Sequence, residues 1–146
     1  YAHFGTPLMT HQDDATPTPP DRQPSVRAVA MPADTNPTGD IFGGWLMSQM
    51  DLAAGTAAAR RAGGRTATVF VDSMSFLRPV HVGDEVSIFT DITHVGRTSL
   101  RINVEAWRQT RFEETSQKVT EGVFTFVALD EHGQPRPLDP KADDQA

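Results

Sequence analysis

The 146-residue chain contains no cysteine. That excludes disulfide bridges, a thiolate nucleophile and cysteine-ligated metals, and it fits a reducing compartment such as the cytoplasm. Basic residues are in deficit, with 13 Lys and Arg against 19 Asp and Glu, a net charge of −6 and a pI of about 5.2. A general affinity for nucleic acid is excluded on that balance. The five histidines, His3, His11, His81, His94 and His132, show no metal-ligand spacing, so no metal site is expected. Ser48, Ser73, Ser75 and Ser99 have no nucleophile-elbow context, and no Walker-type or dinucleotide glycine loop is present. The start of the chain lacks the basic-then-apolar layout of a secretory leader. The low-polarity run Ile41–Ala59 approaches the length of a membrane span, but it holds Ser48, Gln49, Asp51, Thr56 and three glycines. It reads as a buried helix, and no membrane insertion is expected.

The length suits one domain with a core of its own. Residues 1–24, centred on Pro17-Thr18-Pro19-Pro20, offer too few apolar groups to offset the entropy of ordering and read as a disordered or loosely attached arm. Residues 25–138 carry the patterned domain, and 139–146 read as a flexible tail. Within the domain, Ser25–Ala30 is a short strand candidate and Met31–Asp40 a loop punctuated by Pro32, Pro37 and Gly39. A helix follows to about Ala62, with Arg60 and Arg61 in its last turn and Gly63-Gly64 as its stop. Its surface is apolar nearly all round, which predicts enclosure on most sides.

Four strands are expected after it: Thr66–Leu77, Glu85–Val95, Ser99–Gln109 and Lys118–Leu129. The middle two alternate, with Val86, Ile88, Thr90 and Ile92 on one face and Leu100, Ile102, Val104 and Ala106 on the other's matching face. Gly96-Arg97 joins them as a hairpin. The order predicts an α+β fold, an antiparallel sheet of about five strands with the helix across its buried face.

Asp51 is the only ionisable side chain from Ile41 to Ala59. A carboxylate in apolar surroundings is costly unless the protein uses it, so Asp51 reads as a general base or nucleophile rather than a chance helix acid. Gly43 and Gly44 stand where the helix begins, leaving backbone N–H groups open to a ligand carbonyl, as in an oxyanion hole; tight packing of the turn is the competing reading. Eight residues of helix separate Gly43 from Asp51 by about 12 Å. One subunit therefore cannot bring both to the same atom closely, and either the substrate spans the gap or two subunits combine. Asn36, before Pro37, reads as turn chemistry or as an amide that orients a water or carbonyl. Arg78, Arg97 and Arg101 near turns suit solvation or the holding of phosphates.

The segments Met31–Asn36, Gly39–Trp45 and Ser48–Asp51 resemble the signature of hotdog-fold acyl-CoA thioesterases of the YciA type. Phe76-Leu77-Arg78-Pro79-Val80, Val82-Gly83-Asp84, Gly96-Arg97-Thr98-Ser99 and Val123–Ala128 follow in the same order, so the resemblance spans about Ser25 to Leu138. It implies a long central helix wrapped by an antiparallel sheet, and a homodimer with active sites shared at its interface, often built into a hexamer as a trimer of dimers. It also implies hydrolysis of acyl-CoA to a free acid and CoA without a metal or redox cofactor, in the cytoplasm. Asp51 matches the family's helix carboxylate, acting as base or through an anhydride. Gly43 or Gly44 matches the N–H that polarises the carbonyl, and Asn36 the nearby loop amide. Arg78, Arg97, Thr98 and Ser99 are the expected contacts of the CoA nucleotide, while Trp45, Met50, Met74 and Phe76 are the candidates for lining the acyl pocket. Two other activities share the fold. Asp34-x-Asn36-Pro37 resembles a hydratase motif, but Gly39 stands at its histidine position. A non-catalytic acyl-CoA sensor would have no need of Asp51.

Overall fold

The computed structural model describes residues 17–141 and 144. Strand β1 (Val26–Val29) leads through a 3-10 turn (Pro32–Asp34) into helix α1 (Gly43–Ala62). Strands β2 (Thr66–Phe76), β3 (Glu85–Val95), β4 (Ser99–Gln109) and β5 (Ser116–Ala128) follow. The strand order across the sheet is β1-β3-β4-β5-β2, and every neighbouring pair is antiparallel. β2 is thus next to β5, far from it in sequence, and forms one free edge of the sheet.

Local chemistry sets the ends of α1. Phe42 occupies the cap position with extended backbone and no capping side-chain hydrogen bond. At the other end Gly63 takes φ 66°, a conformation that costs glycine little, and Gly64 N–H reaches back to the Ala59 carbonyl at 3.2 Å. Arg136 then donates from Nη2 to the Ala62 carbonyl at 2.6 Å, and its guanidinium would lie 3.0 Å from any Cβ placed on Gly64.

The inner face of α1 presents Leu46, Met50, Ala53, Ala54 and Ala58, all buried, against Val86, Ile88, Leu100, Ile102, Val104, Ala106, Phe124 and Phe126. The small alanines let the curved sheet approach the helix closely. Burial of each large side chain in this layer contributes about 1.5–3 kcal/mol. The helix-wrapped antiparallel sheet is the hotdog arrangement.

The helix is enclosed on one side only. Met47, Ser48, Asp51, Leu52 and Thr56 are exposed, Leu52 at 62%, because a single sheet can wrap only one face of a helix. The expectation of burial nearly all round therefore fails for one chain. Beside the open face, β2 leaves Val69, Phe70 and Phe76 exposed. An exposed apolar edge strand of this length is a pairing surface.

Residues 1–16 of the expected arm lie outside the described residues. Residues 17–24 form no helix or strand, yet Arg22 donates to the Thr90 carbonyl at 2.7 Å and stacks over the Phe89 ring. This part of the arm is fastened to β3, because one long cationic side chain can anchor a segment that has few apolar residues to bury. In the tail, Asp144 pairs with Arg61, whose Nη2 also donates to the Asp139 carbonyl at 2.9 Å. The hydrogen bond from Arg61 holds the Asp144 carboxyl below the ordinary carboxylate value and raises Arg61 in turn. Among the described residues no helix is long and apolar enough to cross a membrane.

Candidate active site

Asp51 stands in the third turn of α1, on the open face. Its carboxylate accepts a hydrogen bond at 2.6 Å from the Thr68 hydroxyl of β2. A bulge follows at once: Thr68 pairs with Phe126 but Phe70 pairs with Thr125, leaving Val69 extra. Bulges change where neighbouring side chains point and gather near functional sites. Asp51 and Thr68 line an open groove of about 480 Å³ with Gly55, Ala59, Arg65 and Phe126. The expectation that Asp51 is buried does not hold within one chain, since the groove is open along the unwrapped face of the helix. Thr68 was not singled out in the sequence. A threonine in a Val- and Thr-rich strand is ordinary there, and its meeting with Asp51 depends on how β2 returns past the helix.

Gly43 and Gly44 begin α1. A Cβ on Gly43 would come 3.3 Å from the Phe76 ring, and one on Gly44 would come 3.2 Å from the Phe42 ring. Close packing therefore accounts for both glycines. Their N–H groups also head the helix, where Phe42 supplies no capping side chain. Gly43 lines a second hollow of about 290 Å³, with Ile41, Phe42, Phe76, Leu77 and Arg78. No residue lines both hollows. The helix rise puts about 12 Å between Gly43 and Asp51, so within one chain the two halves of the expected site stay apart.

Asn36 uses its Oδ1 to hold its own loop. It accepts from Thr38 N–H at 3.0 Å, the Thr38 hydroxyl at 2.7 Å and Asp40 N–H at 3.1 Å. Gly39 turns the chain at φ 88°, and Phe42 N–H reaches the Asp34 carbonyl at 3.3 Å, joining this loop to the helix start. The turn reading of Asn36 is the one visible within a single chain.

The four expected nucleotide contacts do not gather within one chain. Arg78 follows β2 and donates to the Lys118 carbonyl at 2.8 Å, whereas Arg97, Thr98 and Ser99 lie at the opposite end of the sheet. Phe76 pairs with Thr120 and Ser99 with Val127, so about 23 Å of β5 separates the two groups. Proximity to turns could not reveal that the turns are at opposite ends. The acyl-pocket candidates also disperse. Met50 is fully buried in the core, Met74 packs against Gly122, Trp45 is half-buried against the core, and Phe76 lines a hollow.

Comparison with known proteins agrees with the fold. Residues 38–114 match the Thioesterase superfamily. The acyl-CoA thioester hydrolase YciA of Salmonella typhimurium is 51% identical over 116 residues, which is 77% of this chain and 87% of that protein. An uncharacterized acyl-CoA thioester hydrolase of Zymomonas mobilis is 48% identical over 132 residues, covering 90% of this chain and 89% of the relative. Among solved structures, a hexameric thioesterase from Yersinia pestis superposes with a TM-score of 0.79 at 47% identity, covering 84% of this chain and 99% of that one. A hexameric broad-specificity acyl-coenzyme A thioesterase superposes with a TM-score of 0.79 at 42% identity, covering 90% of each chain. The chain belongs to the thioesterase superfamily and, within it, to the hotdog-fold acyl-CoA thioester hydrolases of the YciA type.

Proposed function

We propose that this acyl-CoA thioester hydrolase works at sites shared between two copies of the chain. Asp51 and Thr68 come from one copy, and the Gly43–Gly44 helix start from the other. The observation that carries this reading is the split between two hollows: the only carboxylate of the Ile41–Ala59 segment lies in one and the exposed helix start in the other. The free β2 edge, with Val69, Phe70 and Phe76 exposed, supports sheet-to-sheet pairing of two copies. The hexameric neighbours support a trimer of such dimers.

In this reading the N–H groups of Gly43 or Gly44 donate hydrogen bonds to the thioester carbonyl oxygen and stabilise its growing negative charge. Thr68 holds Asp51 Oδ1, leaving Oδ2 to take a proton from water as the water oxygen bonds to the carbonyl carbon. Collapse of the tetrahedral intermediate breaks the carbon–sulfur bond. The thiolate of CoA leaves and takes back the proton that Asp51 holds, which restores the carboxylate, and the carboxylic acid remains. Asn36 supports the loop that presents the helix start. The chemistry is hydrolysis by water and calls for no metal or redox cofactor. We place the enzyme in the cytoplasm, where acyl-CoA is met and where a chain without cysteine loses nothing to a reducing environment.

The test is thiol release from short, medium and long acyl-CoAs by wild type and Asp51→Asn. The expected result is a loss of about 100- to 10,000-fold in kcat with folding and CoA binding kept. Equal turnover in both proteins would move the chemistry away from Asp51. Acyl-CoA binding without turnover in wild type would instead favour a sensor.

A further inference from the structure

Strand β2 carries one ionisable side chain, Asp72, near its middle, and the reaction described so far leaves it idle. Its Oδ2 lies 3.6 Å from Nη2 of Arg101, which reaches over from β4 across β5. Its Oδ1 is buried, and no described residue donates a hydrogen bond to it. A buried acceptor without a donor is costly. Next in the chain, Ser73 has φ 52°, the only positive value among the described non-glycine residues, inside a bulge between Asp72 and Ser75. Such strain persists only where the surroundings enforce it, and it gathers at sites with a task. The strand also holds Val69, Phe70, Val71, Met74 and Phe76. A lone carboxylate in so apolar an edge blocks pairing with any strand that cannot answer its charge.

The two halves of the shared site are tied to opposite ends of β2. Asp51 is bonded to Thr68 at one end, and Gly43 packs against Phe76 at the other. Against β5, Thr68 pairs with Phe126, Asp72 with Val123 and Phe76 with Thr120. Asp72 is therefore midway, about 10 Å from each end, with both bulges already counted. Two copies joined edge to edge about a two-fold axis run antiparallel there. We propose that this axis passes at Asp72, and that Asp72 and Arg101 are positioning residues that set the register of the two strands. The proposal rests on the shared-site reading and adds to it the residues that align the site. An axis at Asp72 places Thr68 of one copy opposite Phe76 of the other, and so brings each Asp51 beside the partner's Gly43. Moving the axis by one residue would displace Thr68 from the partner's Phe76 by two residues, about 7 Å. It would also set each carboxylate against Phe70 or Met74 of the other copy, a costly neighbour for a charge. At Asp72 the two carboxylates stand between two Arg101 guanidinium groups, which offsets their mutual repulsion. The second strand also brings donors to the bare Oδ1.

The chain has no cysteine, so a single introduced thiol reports alone. Directly opposed residues of an antiparallel pair lie within disulfide reach. Asp72→Cys in the full chain should give a covalent dimer on mild oxidation, whereas Phe70→Cys, about 13 Å from its copy, should not. Turnover of acyl-CoA is followed in parallel by loss of thioester absorbance. Reduced Asp72→Cys and Asp72→Asn should each lose about ten- to 100-fold in kcat with little change in KM, the effect of a site misaligned by about 1 Å. Oxidation should return most of the rate to Asp72→Cys, and reductant should remove it again. Asp72→Glu, which keeps the charge, should stay close to wild type. An Asp72 that served only the fold would recover no rate from the disulfide. A cross-link from Phe70→Cys and none from Asp72→Cys overturns the proposal, as does an unchanged kcat in Asp72→Asn. If Asp72→Cys fails to cross-link while mixed Asp51→Asn and Gly43→Val chains regain activity, the register falls and the shared site stands. If wild type shows no turnover, the hydrolase reading falls, and the cross-link still locates the axis.

Discussion

Mixing Asp51→Asn protein with Gly43→Val protein is expected to restore activity that neither has alone. Both groups must come within about 3 Å of the reacting atoms, one through its water and the other through its N–H. Eight residues of straight helix keep them about 12 Å apart in one chain. Asp51→Asn removes the base. Gly43→Val starts from a Cβ 3.3 Å from the Phe76 ring, so its branches must displace the ring or crowd the hollow in front of the N–H. In a dimer of the two variants, one site receives both lesions and the other receives none. Random pairing makes half of the dimers mixed, so about a quarter of wild-type activity should return before selection and about half in dimers selected as mixed. The assay is CoA release per mole of protein after co-expression with two different tags and isolation of mixed assemblies, with their composition checked by mass spectrometry. If Asp51 and Gly43 of one chain served the same site, every site in the mixed dimer would carry a lesion. Confirmed mixed assemblies no more active than the two variants apart would therefore refute the shared site.

Two further outcomes are expected. Thr68→Val keeps the shape of the side chain but deletes the 2.6 Å hydrogen bond to Asp51. Such a bond to a charged group contributes about 1.5–3 kcal/mol, so kcat should fall about ten- to 100-fold with little change in KM, while Thr68→Ser retains most of the rate. Full activity in Thr68→Val would show that Asp51 is oriented by something else. Asp144→Asn should lower the thermal midpoint at neutral pH. The Asp144 carboxyl is depressed in the folded state by its hydrogen bond from Arg61, so its contribution is fully present above the ordinary aspartate value. That contribution is lost as pH falls through the lowered folded-state value, and melting curves of wild type and variant should converge in acid. A gap that persisted in acid would mean the tail is held by contacts other than this ion pair.

Different parts of the molecule were legible in the sequence to different degrees. β3 and β4 are found at their expected boundaries, since alternation of Val86, Ile88 and of Leu100, Ile102, Val104 is a local signal of one buried face. The end of α1 was equally readable, because Gly63 at φ 66° is a local conformational requirement. Asp51 stood out by the absence of other charges around it. Thr68, its hydrogen-bond donor, lies 17 residues away on an edge strand and carries no local mark. Arg78 and Arg97 lie apart within one chain for the same kind of reason. Each lies just after the end of a strand, and only the register of β5 against β2 and β4 shows that these strand ends face opposite ways.

The family and the α+β layout follow from the sequence by itself, because helix stops, strand periodicity and the Gly39–Asp51 signature are all written in neighbouring residues. The tertiary structure decided what those neighbours cannot express. It showed that one sheet covers only half of an apolar helix, leaving Asp51 and Leu52 open and β2 as a free edge. It placed Arg65 in the Asp51 groove and moved Arg78 out of reach of Arg97. These are distances between segments remote in the chain. They are set by strand order and register, which emerge when the packed layers choose their partners.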